Sequence, residues 1–302
     1  MKHPARTLLA VLVLCYSVVV SSQQLSLPLK ADSVRFAVLG DTGTGDMAQG
    51  EVAQQLLRSR ERFPFTFALL LGDNLYGSER PQDYRRKFEE PYKALIDAKV
   101  EFHAALGNHD DPNQRFYKLF NLGGERYRTF RKENVRFFVL DSNYMDPPQV
   151  KWLEKELQAS GSDWKIPYFH HPLYTSATRG PVVELRTVLE PLFVEYGVDV
   201  VLTGHEHTYE RTRPQQGVHY FIAGGSAKLN RGDLRKSALT EVGFDTDRTF
   251  ILMEISGDEL SFQTISRTGT TIDKGIIRRR EVSTKIGPAD ATKIGPAPPT
   301  VK

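Results

Sequence analysis

Short polar motifs recur along this chain: Gly40-Asp41, Gly72-Asp73-Asn74-Leu75-Tyr76, Gly107-Asn108-His109-Asp110, His170-His171-Pro172 and Gly204-His205-Glu206-His207, the last trailed by Tyr209-Glu210-Arg211. Asp, Asn, Tyr and His side chains offer oxygen and nitrogen donors. That mixed set suits a pair of hard or borderline metal ions and poorly serves a thiolate-favouring one, so the chemistry it predicts is two-metal hydrolysis. Taken singly the motifs say little, because a Gly-Asp after a strand is commonly a turn. Gly-His-x-His is stronger, since two imidazoles at i and i+2 directly after a strand can both face one cleft.

The elements that must position these groups alternate. Apolar runs at residues 35–39, 67–71, 101–106, 135–140, 168–169 and 198–202 read as buried strands, most of them ending in Gly, Asp or His. Amphipathic stretches at 47–60, 82–98, 150–159 and 183–196 read as helices between them, with Pro147, Pro148 and Pro181 as starts and Gly161 and Gly197 as stops. In an open α/β sheet the loops at the carboxyl ends of neighbouring strands converge on one crevice. Asp41, Asp73, Asn108, His170 and His205 all sit at such ends. From Val218 onward strand-like runs dominate, at 219–223, 250–255 and 260–265, with Ser256-Gly257-Asp258 as a hairpin turn. These are expected to form a second sheet packed on the first, within one domain over 33–280.

Composition supports a globular protein: 302 residues, 40% hydrophobic and 25% charged. Residues 1–22 read as a signal peptide, with Lys2 and Arg6 before an apolar run from Leu8 to Val20 and then Ser21 and Ser22. Its removal leaves a net charge of about +1, far from the basic excess of a nucleic-acid binder. The expectation is export, secreted or periplasmic, with no membrane span after cleavage. Cys15 is the only cysteine, so the mature chain would have no disulfide, thiolate ligand or cysteine nucleophile. Residues 283–302 repeat Thr-Lys-Ile-Gly-Pro-Ala and read as a disordered tail.

Together these motifs resemble the calcineurin-like metallophosphoesterases, and within them the purple acid phosphatases of the tartrate-resistant type, over roughly residues 34–256. Tyr76, three residues after Asp73, marks that branch. Elsewhere in the superfamily the first motif is Asp-x-His, whereas here Thr42 and Gly43 follow Asp41. The resemblance implies an α/β fold, a four-layer αββα sandwich of two mixed sheets. It also implies a first metal held by Asp41, bridging Asp73, Tyr76 and His207, and a second held by Asp73, Asn108, His170 and His205. Two carboxylates and a phenolate concentrate negative charge on the first position, which favours Fe(III); the second suits divalent Fe, Zn or Mn, and the donors do not choose among them.

The implied reaction is attack on a small phosphomonoester by metal-activated hydroxide, with no protein nucleophile. His109 is the candidate proton donor to the leaving oxygen, and Asn108, His171 and Arg179 are further candidate substrate contacts. Relatives carry histidines near the position of Arg179, so it reads equally as a phosphate clamp or a loop charge. Asp110 reads as an orienting group for His109 or as a turn carboxylate. Glu206 is expected to point away from the ligands flanking it, and His103 and His219 read as structural. Two other function classes remain. Gly43-Thr44-Gly45-Asp46-Met47-Ala48 matches G-x-G-x-x-A, a dinucleotide fingerprint, and a noncatalytic metal or phosphate binder could share the scaffold. Within the enzyme reading, a phosphodiesterase or nucleotide hydrolase is the alternative. The physiological substrate and oligomeric state are left open.

Overall fold

A computed structural model of the chain describes residues 25–280; the signal-peptide and tail readings lie outside the described residues. Thirteen strands form two mixed sheets among them. In the first, β1 (Val34–Leu39), β2 (Phe67–Leu71) and β3 (Glu101–Ala105) run parallel. In the second, β5 (Val135–Val139), β6 (Trp164–Phe169), β7 (Val200–Thr203) and β9 (His219–Ala223) run parallel. Antiparallel β4 (Arg128–Lys132) borders that sheet beside β5, while β8 (Tyr209–Thr212) and β10 (Thr240–Phe244) extend it beyond β9.

The strand period of two explains why these runs read as continuously apolar. Val34, Phe36 and Val38 of β1 face the core between the sheets, whereas Ala37 and Leu39 face a second core on the outer side. The same split divides Phe67, Leu69 and Leu71 from Ala68 and Leu70. Phe36, Phe67 and Phe137 meet between the sheets with ring centroids 5.3 to 5.5 Å apart. Helix α1 (Met47–Arg62) covers the outer face of the first sheet, and two later helices, Pro147–Gln158 and Val183–Glu195, cover that of the second. This is the four-layer αββα arrangement.

Several expectations change. The strands after Val218 do not make the second sheet by themselves. β11 (Thr249–Ser256) pairs antiparallel with β1, and β12 (Glu259–Ser266) and β13 (Thr271–Arg278) follow it outward, so they complete the first sheet. The reason is that β1 would otherwise present an unpaired edge to the core, and β11, buried along nearly its whole length, can occupy a central position. The single helix expected at 82–98 is broken into α2 (Pro81–Tyr84), a π-turn (Arg85–Glu89) and α3 (Lys93–Asp97). Pro91 cannot donate to the Lys87 carbonyl; that oxygen instead accepts from Gln49 Nε2 at 2.6 Å. Pro191, by contrast, is tolerated inside α5 (Val183–Glu195), the helix that follows α4 (Pro147–Gln158). Asp46 and Asp146 cap α1 and α4 through the backbone N–H groups of Gln49 and Gln149.

His103 and His219 sit on β3 and β9, away from the polar strand ends. His103 stacks on Phe130 at 4.1 Å. Burial pushes both imidazoles down to about 4. Unfolded imidazoles take up a proton near pH 6.5, and these native ones resist it, so their contribution to stability is whole above about pH 6.5 and is lost as pH falls toward 4. His103→Phe should therefore lose less thermal stability than the parent between pH 7 and 4.5, by a few degrees in Tm. An unchanged acid slope would contradict this assignment.

Candidate metal centre

The parallel strands of both sheets deliver their carboxyl ends to one edge, and every motif lies there. Asp41 follows β1, Asp73 and Tyr76 follow β2, Asn108 follows β3, His170 follows β6, and His205 and His207 follow β7. Backbone bonds stitch these loops together: Asp41 N–H donates to Gly72 O at 3.0 Å, Tyr76 N–H to Gly43 O at 2.9 Å and Gly204 N–H to His170 O at 2.9 Å. Asp41, Asp73 and His205 adopt positive φ, +56°, +52° and +70°, a conformation that costs a non-glycine residue on the order of 1–3 kcal/mol. Crowding requires glycine between them. A Cβ on Gly107 would stand 2.2 Å from Asp73 Oδ1, and one on Gly204 would stand 2.6 Å from Asp41 Oδ2.

At one end of the centre the Tyr76 hydroxyl donates to Asp41 Oδ1 at 3.0 Å and lies 3.3 Å from His207 Nε2. The other ring nitrogen, Nδ1, lies 3.3 Å from the Asn230 side-chain oxygen. Because an amide oxygen can only accept, Nδ1 carries the proton and Nε2 presents a lone pair to Tyr76 and Asp41. Burial raises the Asp41 carboxyl to about 6, with Asp73 adding to the shift and His207 opposing it. Burial, with Asp41 and Asp73 close by, holds the Tyr76 phenol far above its ordinary range. Ionising it requires a strong cation at its oxygen.

At the other end His170 Nδ1 donates to Leu71 O at 2.9 Å, leaving Nε2 as an acceptor. That atom lies 3.0 Å from Asn108 Oδ1, 3.1 Å from His205 Nδ1 and 3.4 Å from Asp73 Oδ1. His205 Nδ1 is also 2.9 Å from Asn108 Oδ1. Four acceptor-capable atoms thus converge around at most one side-chain proton. Burial drives His205 down to about 2 and His170 well below its ordinary value, with neighbouring imidazoles adding to both. Both are therefore in the neutral form that binds metals. Asp73 joins the ends: its Oδ1 accepts the His109 N–H at 2.9 Å, and its buried Oδ2 has no hydrogen-bond partner among the described residues. Such an orphaned oxygen is costly unless a cation meets it. The donor set fits metal ions at both ends.

The seven expected ligands are thus brought together. Asp41, Asp73 and His207 each place a donor atom within 4.8 Å of the others, and so do His170, His171 and His205. His171 lies beside the centre, with its ring 4.6 Å from that of His205 and Nδ1 2.9 Å from Ser142 Oγ. His109 is exposed, its ring 5.0 Å from Tyr76. Arg179 donates to the His205 carbonyl at 2.7 Å. Asp110 makes no hydrogen bond to the His109 side chain among the described residues; it accepts from Gly107 N within its own turn and also from Leu75 N, Asn74 Nδ2 and Gln114 Nε2, and so staples two site loops together. Burial and then Asp73 push its carboxyl up to about 8, against those backbone donors. Glu206 lies outside both donor groups, yet it is fully buried, and both its carboxylate oxygens lack hydrogen-bond partners among the described residues. A cavity of about 480 Å³ opens beside Asn108 and His171, walled in part by Ser142, Tyr144 and Val182.

The dinucleotide fingerprint has another use. Gly43 packs on the Asp73 loop, where a Cβ would stand 2.0 Å from Asn74 O, and the Gly45 N–H is taken by Gln49 at 2.7 Å. Sequence reasoning missed four residues that shape the centre. Ser142 and Asn230 bond His171 and His207, buried Lys87 donates to the Tyr76 carbonyl at 2.6 Å, and the Lys228 ammonium lies 4.5 Å from the centre of the Tyr76 ring. None sits in a motif, so their sequence signal is nil; only tertiary folding puts them there.

Residues 34–209 match the family model described as calcineurin-like phosphoesterase. Among curated proteins, the chain is 27% identical to tartrate-resistant acid phosphatase type 5 of Homo sapiens, over 85% of this chain and 96% of that one. It is 26% identical to purple acid phosphatase 17 of Arabidopsis thaliana, over 68% and 72%. Among solved structures, a purple acid phosphatase from yellow lupin seeds superposes with a TM-score of 0.66 at 19% identity, over 83% of this chain and 54% of that one. GAP50, described as the anchor in the inner membrane complex of Plasmodium, superposes with a TM-score of 0.70 at 20% identity, over 83% and 90%. With a matching family model, relatives named acid phosphatases and a metal-ready set of donors at the strand ends, the chain belongs to the calcineurin-like phosphoesterase family and is a metal-dependent phosphoric ester hydrolase.

Proposed function

We propose that this protein is an exported acid phosphatase of the purple type, acting on phosphomonoesters at a two-metal centre. The observation that carries the reading is Asp73, with donor sets on both sides of it and one buried oxygen unpartnered among the described residues. Asp41, Tyr76 and His207 would hold Fe(III) with Asp73, and Asn108, His170 and His205 a divalent Fe, Zn or Mn. Bound there, the metals supply Lewis acidity that activates water and neutralises charge on the phosphoryl oxygens. Residues 33–280 form the catalytic domain in this reading. No helix among the described residues is long and apolar enough to cross a membrane.

The protein's own groups have separable tasks. His109 is exposed beside the Tyr76 ring, and the bond from its backbone N–H to Asp73 Oδ1 fixes its position. It donates a proton to the leaving alkoxide. On the opposite side, Arg179 and His171 bind phosphate oxygens. Ser142 Oγ accepts the His171 backbone N–H at 3.1 Å and lies 2.9 Å from His171 Nδ1, which fixes the ring and leaves Nε2 free to meet the substrate. Asp110 keeps the Asp73 and Asn108 loops in register.

Three variants separate these roles. Asp73→Asn should lose activity and at least one metal together, read by metal analysis beside turnover of a chromogenic phosphate ester. His109→Ala should keep both metals and lose roughly 10²- to 10⁴-fold in rate; loss of metal instead would show that its task is structural. Iron-loaded, oxidised protein should absorb visible light through the phenolate, and Tyr76→Phe should abolish that band. A Tyr76→Phe protein that keeps the band would remove the purple-type assignment and leave a general metallophosphoesterase.

A further inference from the structure

The proposed reaction gives no task to Lys228, a charged group of the centre. Lys228 lies in the loop after β9, and that loop is tied to the first metal position at several points. Ser226 N–H donates to Gly40 O at 3.3 Å, Lys228 N–H to Asp41 O at 3.2 Å and Asn230 N–H to His207 O at 3.0 Å, while Asn230 Oδ1 accepts from His207 Nδ1. The backbone on either side of Lys228 is therefore fixed by two of the expected ligands. Its half-buried side chain places Nζ 4.5 Å from the centre of the Tyr76 ring, within cation–π range. Among the described residues, that ammonium forms no ion pair with a carboxylate.

A cation held against the Tyr76 ring with no ion-pair partner among the described residues, at a centre proposed to receive a phosphate dianion, has a use. We propose that Lys228 is a substrate-phosphate contact on the first-metal side, and that its charge also acts on the Tyr76 oxygen. The chemical class it recognises is a phosphoryl group in the monoanionic or dianionic state, whatever alcohol carries it. A point-charge ammonium suits this task, because it needs no fixed fork geometry to meet a tetrahedral anion. The proposal rests on the two-metal reading, and the two can fail separately.

The test uses metal-loaded protein and inorganic phosphate as the probe, with affinity measured by calorimetry and the visible band recorded on the same samples. Wild-type protein first reports on the metal centre: bound metal and measurable phosphate affinity uphold it, and their absence removes both readings together. Lys228→Met should then weaken phosphate binding about tenfold, as expected for loss of one charge-assisted contact, with metal content unchanged. It should also move the phenolate band to longer wavelength, since removing a positive charge near the donor oxygen makes its electrons easier to transfer. Lys228→Arg should recover most of the affinity. Unchanged phosphate affinity in Lys228→Met, or loss of metal from it, would overturn the assignment while leaving the metal centre standing.

Discussion

The buried Oδ2 of Asp73 has no hydrogen-bond partner among the described residues, and the surrounding architecture is organised around that fact. On one side stand a carboxylate, a phenol and an imidazole lone pair; on the other stand two imidazole nitrogens and an amide oxygen. Groups that can only accept, or whose protons are committed elsewhere, repel one another when gathered in a low-dielectric interior. Folding brings them together because their loops have no freedom to separate. The Leu71 carbonyl fixes the His170 ring, Asn230 fixes His207, and the His205 N–H is bound to Asp41 Oδ2 at 2.9 Å. The arrangement is unfavourable by itself and favourable around cations, as a metal-dependent hydrolase requires.

Backbone conformation carries the same conflict. Three expected ligands sit at positive φ, where side chains other than glycine are strained. The strain is sustained by the rigid elements behind it: β1, β2 and β7 are buried along nearly their whole length, and the Phe36, Phe67 and Phe137 rings lock the sheets face to face. Sharp turns directly after such strands let residues more than 160 positions apart, such as Asp41 and His205, share a hydrogen bond. The sandwich supplies stiffness, and the turns supply convergence.

How much of this was legible depended on whether the information was local. Asp41, Asp73, Asn108, His170 and His205 stood out because each follows an apolar run with a polar stop, and His207 because the i, i+2 spacing ties it to His205, whereas Tyr76 was singled out only by the family resemblance. The central strands were readable from those same apolar runs. β4 and β10 were not, since border strands such as Arg128–Lys132 need only one apolar face and their charged residues break the run. The joining of β11 to β1 was invisible because sheet partnership is decided by which edge is free, a tertiary matter. Ser142, Asn230, Lys87 and Lys228 escaped notice because a lone polar residue in a loop has no periodicity to announce it. Asp110 was visible, but only half its task was: a turn carboxylate was one reading, and the side chain does bond Gly107 and Gln114 close by in its own segment, while also accepting from Asn74 and Leu75 on the Asp73 loop.

The central claim is that one carboxylate, Asp73, serves two metal positions with unlike donor sets. Anomalous diffraction from crystals of the metal-loaded protein, collected at the iron edge and at that of the second metal, tests it most directly. The account predicts two peaks on either side of Asp73, one among Asp41, Tyr76 and His207 with iron in it, the other among Asn108, His170 and His205. A single peak, or an ion held by His170, His171 and His205 without Asp73, would contradict it.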